Sequence, residues 1–227
     1  MSAAASAVKD TGSLRFWQST LGKKAVMAVS GVILFGFVVG HLLGNLQIYE
    51  GPEKLNNYSH FLRTMPTLLW GTRALLLIMV VLHIWASVQL ALRKRDARPD
   101  GYQRRRPVSS TYASRTMYWS GPIILAFVIY HLLEFTFGVG GTSYQPGNVY
   151  ANVVAGFRVP VVSAFYIIAM LMLGLHLSHG LWSMFQSVGL SHPRYTPVIR
   201  KAAKIVAWLI VLGNISIPVA VLTGFIS

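Results

Sequence analysis

The chain has 227 residues, of which 54% are apolar and 11% charged; it has no cysteine and a net charge of +14. A charged share so far below the usual value of about 25% excludes an ordinary soluble domain and points to a chain that sits in lipid. The missing cysteine excludes disulfides, covalently attached haem and protein-held iron–sulfur clusters, so any redox centre must hang on histidine.

Five apolar runs long enough to cross roughly 30 Å of hydrocarbon are predicted, at 27–47, 70–92, 118–138, 160–185 and 205–225. They define an all-α integral membrane fold of one domain, with the first four spans forming a bundle and short connections between spans. The first run is too long for the apolar part of a signal peptide, and no small-residue cleavage site follows it, so it is expected to persist as a span. Pro122, Pro160 and Pro218 fall near span starts or within the last span, where neighbouring helices can cover a freed carbonyl.

Sixteen of the twenty lysines and arginines precede the first span or lie in the connections from second to third and fourth to fifth spans. The other side holds Lys54, Arg63, Arg73 and Arg158. By the positive-inside rule the N-terminus is cytoplasmic and the C-terminus faces outward. The run RKRDARPDGYQRRRP is thereby explained by topology, with anionic lipid heads or a cytoplasmic partner on that face and no nucleic acid.

Ionisable and ligating residues inside spans are costly and therefore point to function. The first four spans carry, in order, His41, His83, His131, and His176 with His179. His41 and His131 lie past the midpoints of outward-running spans, about 5 Å toward the outer face. His83 and His176 lie just past the midpoints of inward-running spans, slightly toward the cytoplasm. The expectation is two pairs at two levels, His41 with His131 and His83 with His176, each gripping the iron of one haem b from opposed helices. His179 is the competing ligand on the fourth span, whereas His60 and His192 fall in connections and are assigned to interfaces, His60 with a contact to a quinone head group open.

A weak internal repeat supports the pairing. SGVILFGFVVGHLL and SGPIILAFVIYHLL place Ser30–Gly31 and Ser120–Gly121 at the same distance before His41 and His131. That distance is close to three helical turns, so each serine shares the face of its histidine but lies near the level of the other haem. Leu-His recurs at 82–83 and 175–176, with the small residues Ser87 and Gly180 one turn later, where a macrocycle or helix could approach.

GHLLGNLQ, YSHF, LHIWASVQL, YHLLEF and LHLSHGLWSMFQ, in this order, resemble the single-subunit, two-haem cytochrome b anchor of succinate dehydrogenases and fumarate reductases. The likeness runs from about residue 20 to 225. It implies a bacterial cytoplasmic membrane subunit, partnered by a flavoprotein that oxidises succinate and by an iron–sulfur protein that feeds the inner haem. The outer haem would serve a quinone, usually menaquinone. The resemblance also implies that the fourth ligand is the histidine four residues before the Gly-Leu-aromatic step, which is His176, before Gly180-Leu181-Trp182. Some fumarate reductases of that type carry a glutamate two residues before this ligand; Gly174 stands there and favours the succinate-oxidising direction. Anchors of hydrogenases, formate dehydrogenases or nitrate reductases share the bis-histidine chemistry, and a haem-free histidine-relay transporter belongs to a different class.

Glu134 is the acid that lies within a span, one turn beyond His131. Two roles are open to it: proton exchange with quinone, or an ion pair with Arg63, Arg73 or Arg158. For haem propionates Arg73 suits the outer level, and Lys23, Lys24, Ser30, Ser120 and Arg115 the inner. Asn45, Gln47 and a loop over 56–63 are placed around an outer quinone pocket, and Trp17, Trp70, Trp119 and Trp182 in an interfacial aromatic belt. Oligomeric order is left open.

Overall fold

A computed structural model describes residues 16–97, 110–139 and 144–227. Lys9, Arg15, Arg98, Arg104, Arg105 and Arg106, counted above for orientation, lie outside the described residues. The helices are α1 (Thr20–Asn45), α2 (Pro52–Arg63), α3 (Pro66–Asp96), α4 (Tyr112–Phe135), α5 (Val149–Phe157), α6 (Pro160–Ser187) and α7 (Thr196–Leu222), with no strand among the described residues. Of these α1, α3, α4, α6 and α7 are long and apolar enough to span a bilayer, so the chain is a multi-pass, all-helical membrane protein.

Two helices begin well before the apolar runs that announced them. Ser19 caps α1 by accepting from the Gly22 N–H at 2.8 Å, and Pro197 opens the first turn of α7. Hydropathy marks where lipid contact starts, whereas the cap or proline marks where the helix starts. The loop expected over 56–63 is corrected to helix α2, which begins at Pro52 after Gly51, whose φ of 99° needs glycine. Helix α5 is a second short element, capped where Asn148 accepts from the Ala151 N–H at 3.1 Å. The two lock together: Asn56 Nδ2 donates to Asn148 Oδ1 at 3.0 Å, and the Tyr150 N–H donates to Asn56 Oδ1 at 3.0 Å. With the ends of α6 and α7 they close one end of the bundle over a core of Ile48, Leu55, Val154, Phe157, Tyr166 and Val221.

At the other, basic end, Arg93 ties α3 to the start of α1, donating to Thr20 Oγ1 at 3.0 Å and to the Gln18 carbonyl. In the bundle α1 packs on α3, α4 on α6, and α6 most extensively on α7; no comparable packing joins α1 to α4 or α3 to α6. Helices α6 and α7 approach closely at buried Gly174, where an added Cβ would stand 2.5 Å from Val211 Cγ2. Two helix pairs therefore face one another across a cleft, in direct contact where α1 touches α6, with α7 as backing. The lean burial of two spans agrees: α3 fully buries only Ala86, and α4 only Ser120 and Glu134.

Candidate functional site

The histidines bridge that cleft. His41 on α1 meets His131 on α4 with ring centroids 5.8 Å apart, and His83 on α3 meets His176 on α6 at 6.2 Å. These are the helix pairs that lack direct packing. An imidazole binds a metal at about 2.0 Å, so two rings sharing one iron have centroids about 6 Å apart. Among the described residues no group of three or more His, Cys, Asp or Glu gathers to hold a bare metal ion. Two nitrogens are too few for the four-coordinate sites such ions prefer, but they complete a macrocycle that brings four of its own. The donor set and the unpacked cleft both fit haem.

A hydroxyl from the neighbouring packed helix holds three of the four rings. Ser30 Oγ on α1 lies 3.1 Å from His83 Nδ1, and Ser120 Oγ on α4 lies 3.3 Å from His176 Nδ1. Ser30 donates its single proton to the Val26 carbonyl at 2.7 Å, so toward His83 it accepts. The ring therefore carries its hydrogen on Nδ1 and keeps the Nε2 lone pair free for a metal. Both serines are buried, at 1% and 0% exposure. The repeat thus has a physical use different from the propionate contact expected of them: each serine orients a histidine of the second pair. Gly31, next to Ser30, leaves room for the His83 ring, whose Cε1 would lie 3.4 Å from an added Cβ; Gly121, at the matching place, faces open space.

His131 is held differently. Its Nδ1 lies 3.2 Å from the Tyr166 hydroxyl of α6, which donates to Glu134 Oε2 at 2.7 Å. Glu134 is 2% exposed, and its Oε1 has no hydrogen-bond partner. The expected ion pair with Arg63, Arg73 or Arg158 is not formed: the ion pairs among the described residues are Lys54–Glu50 and Arg95–Asp96. All three arginines are exposed, and the carboxyl points inward to Tyr166. Tyr166 is the functional residue that sequence reasoning missed. His41 stacks on Phe37, with centroids 5.3 Å apart and planes 20° from parallel.

The remaining expectations sort by position. His179 turns its ring edge-on to Trp182 at 5.5 Å and leaves its buried Nδ1 unpaired, so His176 is the partner opposite His83. His60 and His192 are exposed in α2 and in the connection before α7. Arg73 lies over the Trp70 ring at 4.8 Å. Lys23 is buried and donates to Gln89 Oε1 at 3.0 Å. Asn56 is occupied by the α2–α5 lock rather than presented to a ligand.

Comparison with known proteins places the chain in a family. The family model described as succinate dehydrogenase/fumarate reductase transmembrane subunit matches residues 92–215, more than half of the chain. The succinate dehydrogenase cytochrome b558 subunit of Bacillus subtilis (strain 168) is 26% identical over 163 residues, covering 71% of this chain and 76% of that protein. No solved structure matches. The α1, α3, α4 and α6 bundle with its paired histidines belongs to a member of the succinate dehydrogenase/fumarate reductase transmembrane subunit family.

Proposed function

We propose that the chain is the cytochrome b anchor of a bacterial succinate dehydrogenase. In this reading it holds two b haems and carries electrons from an iron–sulfur partner to a quinone, with menaquinone as the expected acceptor. The observation that carries the reading is the meeting of His41 with His131 and of His83 with His176 across helices that otherwise do not pack. Haem bound at each pair supplies reversible one-electron carriage. The protein's own side chains do the rest. His41, His83, His131 and His176 present imidazole nitrogens into the cleft, and Ser30, Ser120 and Tyr166 fix ring orientation. The apolar helix faces keep out water.

The eleven residues from Ser30, which touches the second pair, to His41, in the first, correspond to about 16 Å along α1. The two levels are therefore separated by about half of the roughly 30 Å of hydrocarbon. With the basic end cytoplasmic, the His83–His176 level lies nearer the docking face for the flavoprotein and iron–sulfur subunits. Lys23, Lys24 and Arg115 at that end and Arg73 at the other are the cations proposed for propionates. The quinone is placed at the outer level, beneath α2 and α5, with Asn45 and Gln47 close by in the chain. The family covers both directions of catalysis, and Gly174 favours succinate oxidation: Val211 fills the direction in which a glutamate side chain would leave the backbone.

The deciding experiment is a haem-to-protein ratio with reductive titration of the native complex, for wild type and for alanine variants at 41, 83, 131 and 176. Two b-type haems are expected in the wild type. His41→Ala and His131→Ala should lose the same spectral component, and His83→Ala and His176→Ala the other. A complex without porphyrin, or with one, would refute the reading. Glu134→Gln is expected to slow quinone turnover while both haem spectra remain; unchanged turnover would remove Glu134 from quinone chemistry.

A further inference from the structure

The hydroxyls that hold the histidines differ in what stands behind them. Ser30 passes its proton to a backbone carbonyl, a neutral group. Tyr166 passes its proton to a carboxyl that is sealed from solvent and has one oxygen unpartnered. We infer that Tyr166 and Glu134 are positioning residues that make the iron held between His41 and His131 harder to reduce than it would be without them. The inference rests on the haem reading above.

Tyr166 has one phenolic proton, and at 2.7 Å it is donated to Glu134 Oε2. Toward His131 Nδ1 at 3.2 Å the hydroxyl can therefore only accept, which sets the hydrogen on Nδ1 and turns Nε2 to the cleft. A hydroxyl polarised by a carboxyl is a stronger acceptor than a free one. It draws on the Nδ1 hydrogen and makes Nε2 a more basic ligand. A more electron-rich nitrogen favours ferric over ferrous iron. The protein has made room for the carboxyl: a Cβ on Gly156 would stand 3.0 Å from Glu134 Oε1 and 3.2 Å from the Phe135 ring.

The internal repeat shows that the device serves one ligand only. Tyr166 stands ten residues before His176, and the matching residue before His83 is Arg73. Glu134 follows His131 by three residues, and the matching residue after His41 is Gly44, where a Cβ would lie 2.7 Å from the Tyr58 ring. The two halves share their serines and differ at the tyrosine and the carboxyl.

The test is a potentiometric titration of both haems in the native membrane complex, with electron paramagnetic resonance of the ferric forms. The outer component is identified as the one lost in His131→Ala. Tyr166→Phe keeps a ring packed against Phe127 and Phe157, each 4.9 Å away. It is expected to shift the outer ferric/ferrous equilibrium about tenfold toward ferrous, about 59 mV upward for one electron, and to change the outer g-values. Glu134→Gln should shift it in the same direction by less, and Ser120→Ala should move the inner component alone. Unmoved outer potentials in both Tyr166→Phe and Glu134→Gln, with two haems retained, would overturn the inference and leave the haem reading standing. If Tyr166→Phe loses the outer haem, Glu134→Gln decides. A wild-type complex lacking two haems would remove the haem reading itself.

Discussion

His176 and His179 lie on the same helix three residues apart, and the difference between them is one of partners. His176 faces His83 and has Ser120 at its Nδ1, whereas His179 faces Trp182 and has no hydroxyl. His179→Ala should therefore leave both b-type absorbances at wild-type amplitude, and His176→Ala should remove one; a reduced-minus-oxidised spectrum of each variant decides it. The four paired histidines were legible in the sequence, because depth and direction of span place them without any tertiary knowledge. The roles of Ser30 and Ser120 were half legible. Spacing put them at the right level, but the atom they touch depends on how α1 packs on α3 and α4 on α6. Tyr166 was not legible at all: its partners lie 32 and 35 residues away, and a tyrosine in an apolar span resembles any other core aromatic.

At the scale of the helix, Gly174 shows how a single absent side chain sets an interface. Gly174→Val would put a Cβ 2.5 Å from Val211 Cγ2 and add bulk beyond it, an overpacking that costs about 1–3 kcal/mol in well-packed interiors. The expected outcome is a lower thermal midpoint for the detergent-solubilised complex, with haem spectra unchanged before melting. The α2–α5 lock is a second test. Asn56→Ala removes two hydrogen bonds worth about 1 kcal/mol each and should hasten proteolysis at the outer end without moving either haem spectrum. Both helices escaped sequence reading because they are short, and α2 mixes Glu53, Lys54, Asn56 and Asn57 with Leu55 and Phe61, so no long apolar run betrays it. Helices α1 and α7 extend beyond their apolar runs for the converse reason, since Ser19 and Pro197 begin helices in polar sequence.

At the scale of the molecule, orientation is testable with unusual ease because the chain has no cysteine. Lys54→Cys, on α2, should react with a membrane-impermeant maleimide in intact cells; Arg194→Cys, before α7, should react only after permeabilisation. The reverse pattern would invert the topology and exchange the levels assigned to the iron–sulfur partner and the quinone. The basic end in this orientation also offers Arg200, stacked at 4.1 Å on Trp182, to the cytoplasmic headgroup region.

The cleft between the α1–α3 and α4–α6 pairs bears on biogenesis. Helices α1 and α6 touch directly, but α1 meets α4, and α3 meets α6, only through the four imidazoles, so in the proposed reading porphyrin would supply the missing contact surface and act as mortar between the two pairs. Ligand that binds only the assembled form stabilises it by mass action. A cell starved of haem would therefore accumulate a gaping subunit open to membrane proteases, and the supply of pigment would govern how many complexes survive.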